Sequence, residues 1–319
     1  MQYTEAFLKD KIYGVYFWGA IGDALWSPYE FMTPEEIAEQ YGSDFEDLEN
    51  YYHDEEEWTD DTAMALLLSE SLLEKGFDYE NQMQKYILWE ETGYKSMHSF
   101  PKGIGIQTEA MIVKYIKAIL NEIPYKPREI DMSNQKKDSN GSLMRVGPVP
   151  LYYFNDKEKA IKASIDSAKT THNTDLCREI NGRYGRLIRN AVHTTPEETP
   201  KEKLLENEGV LTPIAIVNEM LQSYQKKKFQ DLKADGYVLN SLEGVLWALQ
   251  KGNTFAETLV EAIKLWRDTD TTACIVGYVA GGYYGFSKIP QKYIDGLLGK
   301  DLIVEQAEEM LEHVKKLMK

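Results

Sequence analysis

Two short stretches place paired carboxylates at the mouths of apolar helices. In WTDDTAMALLLSESLLE (58–74), Asp60 and Asp61 precede apolar residues at helical spacing. In RDTDTTACIVGYVAGGYYG (267–285), Asp268 and Asp270 stand in the same place, followed by Thr271 and Thr272. One acid at a helix start is ordinary, because it caps free amides and meets the positive end of the helix dipole. Here Thr59 or Asp60 suffices for that. A second acid beside it adds repulsion for little further gain, and the chain pairs acids in this way twice.

If the two mouths face each other, four carboxylates converge, and their mutual repulsion raises their pKa values unless a counter-charge is present. No cluster of Lys or Arg flanks either motif, and Arg267 alone is adjacent. Two divalent cations would balance four negative charges. Carboxylates and Thr hydroxyls are hard oxygen ligands that suit Mg²⁺ or Mn²⁺ rather than Zn²⁺, and neither motif contains Cys or His. A further acid comes from GAIGDALWSPYEF (19–31), where Pro28 turns the chain and displays Glu30. Asp23 of the same stretch reads as structural, a carboxylate for backbone amides, while Glu30 is the candidate for joining the metal centre.

The elements that must hold these groups are helices. Segments such as EAFLKDKIYGVYFWGAIGDAL, TEAMIVKYIKAIL, NSLEGVLWALQKG and IVEQAEEMLEHVKKLMK carry apolar residues at i, i+3 and i+4. Period-two runs of Val, Ile and Thr are essentially missing, so the expected fold is all-α. The 319 residues, 43% hydrophobic, are enough for a sizeable core. They read as a single domain, 1–319, with HTTPEETPKEKLLENEG (193–209) as a surface loop. The net charge of −16 works against general affinity for nucleic acid or an anionic membrane. Only two cysteines, Cys177 and Cys274, occur, and the N-terminus is no signal peptide, which suits a cytoplasmic protein. The longest apolar stretch, ACIVGYVAGGYYGF, is short for a membrane span.

Taken together, the motifs resemble the ADP-ribosylglycohydrolase family, which includes dinitrogenase-reductase-activating glycohydrolases and ADP-ribosyl-acceptor hydrolases. GAIGDALWSPYEF is similar to the family's GDALG-x-P-x-E opening, and WTDDT to its TDDT motif. SNGSLMRVGPVPL (139–151) is similar to its G-N-G-x-x-M-R-x-x-P segment, and TTHNTD (170–175) to its Thr-His motif. GYVLNSLEGVLWAL and DTDTTACIVGYVAGGYYG match the closing pair. The resemblance covers nearly the whole chain.

It implies a compact all-α domain with a binuclear Mg²⁺ or Mn²⁺ site whose ligands fall on Thr59, Asp60, Asp61, Asp268, Asp270 and Thr271, with Glu30 nearby. It also implies hydrolysis of the glycosidic bond joining ADP-ribose to an acceptor, a modified protein or a small-molecule conjugate. A monomer is the default expectation for the chain, with nothing in the sequence fixing its oligomeric state. Glu30, Asp60 and Asp61 are the candidate proton-handling carboxylates. Small-residue turns at Gly103 and Gly105, and at Asn140, Gly141 and Ser142, offer backbone amides to the diphosphate. His172 matches the family histidine that approaches the ribose-phosphate part. Arg145 reads as structural, bonding to carboxylates or carbonyls around the centre. A non-catalytic, crystallin-like member and a metal-dependent phosphohydrolase are the alternatives, and retention of all four aspartates and Glu30 argues against the first.

Two departures stand beside the expected ligands. Trp26 replaces the family's Gly after GDAL, and Trp266-Arg267 replaces Gly-Gly before DTDT. These large side chains are expected to reshape the acceptor side of the pocket. The segment KGIGIQT lacks the acid that arginine-selective relatives can carry, which weakens an arginine linkage without establishing another.

Overall fold

A computed structural model describes residues 3–33, 35–36, 39, 57–122, 138–206, 211–265 and 267–319. Among them are fourteen α-helices and no strand, only an isolated antiparallel bridge between Ser139 and Tyr237. In chain order the helices are α1 (Glu5–Trp26), α2 (Asp60–Lys75), α3 (Tyr79–Thr92), α4 (Ile106–Leu120), α5 (Pro148–Tyr152), α6 (Lys157–Ala168) and α7 (Asp175–Val192). They continue as α8 (Lys201–Glu206), α9 (Ala215–Ser223), α10 (Val238–Lys251), α11 (Phe255–Ile263), α12 (Thr269–Tyr284), α13 (Gln291–Gly296) and α14 (Lys300–Leu317). The all-α expectation holds. The stretch 193–209 is not loop throughout: residues 201–206 form α8, because Leu204 and Leu205 bury into the core, and 207–209 lie outside the described residues.

The axis of the molecule is the antiparallel pair α1 and α12, which make the most extensive helix–helix contact. Both are buried along nearly their whole length. Glycine is what brings them together. A Cβ on Gly14 would be driven into the carbonyl oxygen of Gly281, one on Gly277 into that of Trp18, and one on Gly22 into that of Ala273. With no side chain between them the two backbones touch. The register that results sets the end of α1, with Asp23, beside the start of α12, with Asp268 and Asp270. Thr269 Oγ1 reaches the carbonyl oxygen of Trp26 at 3.4 Å across the same junction. Helix α2 packs against α1 and α12, so its acidic mouth arrives at the same point.

Candidate metal centre

Capping explains other helices of this chain and fails for the two acidic mouths. Thr4, Asp78, Asp156, Thr174 and Thr254 each accept a hydrogen bond from an amide of the helix they start. Thr59 and Asp268, the N-cap residues of α2 and α12, make no such side-chain bond. The amides of α2 are served from outside, by Asp23. Its carboxylate accepts from Thr59 N at 3.0 Å, Thr62 N at 3.0 Å, Thr59 Oγ1 at 2.8 Å and Thr62 Oγ1 at 2.6 Å. The cap expected of Thr59 or Asp60 is therefore supplied by α1, which leaves the acids of α2 free for other duty.

Two acidic groups result. Carboxylate oxygens of Asp23, Asp61 and Asp270 lie within 4.8 Å of one another, as do those of Glu30, Asp268 and Asp270. Asp270 belongs to both. The hydroxyls of Thr59 and Thr271 each stand 3.3 Å from Asp61 Oδ2, and Asp61 Oδ1 is buried with no hydrogen-bond partner. Asp268 accepts from Asn140 Nδ2 at 2.6 Å. Of the expected ligands, Asp61, Asp268, Asp270, Thr59 and Thr271 meet here together with Glu30. Asp60 lies beside the groups and belongs to neither, whereas Asp23, read from sequence as structural, both caps α2 and joins one group. Gly103, at φ 86°, packs against Asp60: a Cβ there would sit 2.7 Å from Asp60 Oδ1.

The electrostatics follow from burial and crowding. Burial first, then neighbouring acids, push Asp60, Asp61 and Asp270 well above the usual carboxylate range. Asp23 and Asp268 are also raised, chiefly by burial, although hydrogen bonds pull them back. Glu30, at the half-buried edge, is raised to about 7 by burial, Asp268 and Asp23, against the pull of Lys102. Lys102 is itself shared with Glu57 at 3.0 Å. Six carboxylates thus face one another with little positive charge between them. An all-oxygen donor set with an orphaned carboxylate oxygen fits a hard divalent cation.

The expected substrate-binding residues divide. Gly105 starts α4 with open space where its Cβ would be, and Gly141 packs against the His172 ring. Asn140 is committed to Asp268 and to Ser241. The Ser142 side chain turns inward, accepting from Asn181 at 2.9 Å, so only its backbone is available to a ligand. His172 is buried, with Nδ1 at 2.7 Å from Thr171 Oγ1 and Nε2 at 2.8 Å from Ser139 Oγ. Burial, then Arg145, hold it well below the usual histidine range, as a neutral ring. Arg145 donates to Thr171 Oγ1 and to the carbonyl oxygen of Ser167 and lies 5.0 Å over Tyr86, contacts that suit a structural role.

Trp26 does not line the cleft. It is wholly buried, tilted against Tyr29 at 5.3 Å, because the end of α1 is enclosed by α12 and the turn that follows. Trp266 lies outside the described residues. Arg267 is exposed, in a left-handed conformation at φ 72°, and its carbonyl oxygen accepts from Phe31 N at 2.5 Å. Sequence reasoning passed over Asp23 as a ligand and Ser139 altogether. The juxtaposition of Gly22 and Asp23 was the available signal for the first.

Fold and site define an all-α protein built around an acidic, oxygen-only cluster that could hold a metal ion. The chain belongs to the ADP-ribosylglycohydrolase family, whose model matches residues 4–318. It is 24% identical over 302 residues to the ADP-ribosylarginine hydrolase Tri1 of Serratia proteamaculans, covering 94% of this chain and 79% of that protein. It is 25% identical over 308 residues to the ADP-ribosyl-[dinitrogen reductase] glycohydrolase of Rhodospirillum rubrum, covering 95% and 94%. A solved structure described as an ADP-ribosylglycohydrolase-related protein complex superposes with a TM-score of 0.75 at 26% identity, covering 96% of this chain and 98% of the other.

Proposed function

We propose that this protein hydrolyses the glycosidic bond between ADP-ribose and an acceptor, with a pair of Mg²⁺ or Mn²⁺ ions as cofactor. The observation that carries this reading is the pair of acidic groups sharing Asp270. Asp23, Asp61 and Asp270 would hold one ion and Glu30, Asp268 and Asp270 the other, with Thr59 and Thr271 as hydroxyl donors. Bound there, divalent cations supply the charge that orients hydroxyl groups and lowers the pKa of water from ~15.7 towards ~7.

The chain's own groups do the rest. Water attacks the ribose C1, the bond from C1 to the acceptor atom breaks, and its electron pair leaves with the acceptor, which takes up a proton. Glu30 is the one acid of the six that is not fully buried, so it is the one best placed to pass a proton between water and the acceptor. Asp60, free of either group, is the second candidate, and Asp61, with an orphaned oxygen, the third. The amides of Gly103, Gly105 and Gly141 would serve the anionic diphosphate, whereas that of Asn140 is already given to the carbonyl oxygen of Gly236 at 2.9 Å. The buried, free cysteines suit a reducing cytoplasm, and no helix among the described residues is long and apolar enough to cross a membrane.

Relatives named for arginine and for dinitrogen reductase make an ADP-ribosylated protein the first substrate to try. Incubation with arginine-, serine- and nucleobase-linked ADP-ribose, with and without chelator, tests the proposal. Release of intact ADP-ribose that stops on chelation is expected. Release of phosphate instead, or turnover indifferent to chelator, would overturn it.

A further inference from the structure

The donors and acceptors around His172 can be ordered from one end. Arg145 can only donate, and its Nη2 gives a hydrogen to Thr171 Oγ1 at 2.7 Å. Thr171 is fully buried, so its own hydroxyl hydrogen must find an acceptor or be left costly and unpaired. His172 Nδ1, at 2.7 Å, is the acceptor found for it. With a lone pair at Nδ1, the neutral ring carries its hydrogen at Nε2 and gives it to Ser139 Oγ at 2.8 Å. Ser139 then accepts, and its hydroxyl hydrogen is left over. No second partner for Ser139 Oγ is found among the described residues. Arg145, Thr171 and His172 are buried; Ser139 alone is half-buried. It directly precedes Asn140, whose side-chain amide donates to Asp268 Oδ2 at 2.6 Å, so the chain runs from Ser139 straight into the acidic centre.

We propose that Ser139 is the substrate-facing end of the relay Arg145–Thr171–His172–Ser139 and donates to an anionic oxygen of the substrate. Resting on the reading above, that oxygen belongs to the diphosphate of ADP-ribose. Each link is set in direction by the one before it, and the first is a guanidinium that does not deprotonate. A hydroxyl that accepts from below is a stronger donor above, because chained hydrogen bonds polarise one another. His172 thereby serves the ligand without touching it, as a positioning residue, which explains why both its nitrogens are engaged.

Calorimetric titration of ADP-ribose into the metal-loaded protein, with nitrogen NMR of the His172 ring, tests this. Ser139→Ala is expected to weaken binding by about 10-fold or more and to raise KM while kcat and the unfolding midpoint stay put, since a hydrogen bond to a charged group is lost. Ser139→Thr restores the affinity. Thr171→Val frees the ring to take the other tautomer and weakens binding similarly, and Thr171→Ser restores it. Equal affinity of the wild type and Ser139→Ala would overturn the relay while leaving the functional reading intact. A hydrogen at Nδ1 in the wild-type ring would overturn it whatever ligand binds. Absence of any ADP-ribose binding by the wild type would instead remove the functional reading, and the diphosphate assignment with it.

Discussion

Asp270 gives a carboxylate oxygen to both acidic groups, and Asp60 gives one to neither. Variants of the two residues therefore test metal holding and other work separately. Added Mg²⁺ or Mn²⁺ should raise the unfolding temperature of the wild type, since a ligand at 100 times its Kd contributes about 2.7 kcal/mol. Asp270→Asn should abolish that rise and lower turnover by more than ~100-fold, a larger loss than removing a group that merely orients a ligand. Asp60→Asn should keep the metal-dependent rise and lose turnover. If thermal scans show the rise gone in Asp60→Asn, Asp60 is a ligand after all. Sequence could not separate Asp60 from Asp61, because neighbours on a helix point about 100° apart and only the rotation of α2 decides which faces inward.

Among elements, the α1–α12 contact governs the geometry of the site. It brings Asp23 to Asp270 through a glycine interface that runs from Gly14 and Gly281 to Gly22, beside the site. Gly281→Ala would gain ~1 kcal/mol of helix propensity but drive a Cβ into the Gly14 carbonyl, at a cost of about 3 kcal/mol. Net destabilisation in chemical denaturation, with weakened metal response, is expected; a neutral or stabilised variant would mean the helices can part without harm. The helices themselves were legible from apolar spacing, and so was the acidic start of each. Their pairing was not, because the glycines show that something approaches closely and not which backbone it is.

At the scale of the whole molecule, acid sensitivity is built in away from the site. His193 sits between α7 and the core, with Nδ1 2.9 Å from Tyr3 Oη and Nε2 2.9 Å from the carbonyl oxygen of Phe154. The neutral ring satisfies both, donating to the carbonyl and accepting from the phenol. Burial and Arg189 lower its pKa from 6.5 to about 4. A base with a depressed folded pKa contributes fully above pH 6.5, and that contribution is lost as pH falls from 6.5 towards 4, because the unfolded chain takes up the proton first. The loss amounts to about 3 kcal/mol across that window. Denaturation of the wild type and of His193→Gln at pH 7 and pH 4.5 should show it as a smaller loss on acidification in the variant, since the other shifted groups, His172 and the raised carboxylates, are common to both; an equal pH dependence would exclude His193 as a source.

Residue chemistry alone carried the acid pairs, their suitability as hard oxygen ligands, the all-helical architecture and the family, since charge, ligand hardness and helical period are local properties of the chain. Contact in space assigned the rest: Asp23 to a double role, Asp60 to the margin, Trp26 to the core, and Ser139 to the end of a relay. Each of those depends on which atoms of distant segments come within about 3 Å, a hydrogen-bond length. That is settled by how helices pack and rotate against one another, which no local pattern of residues records.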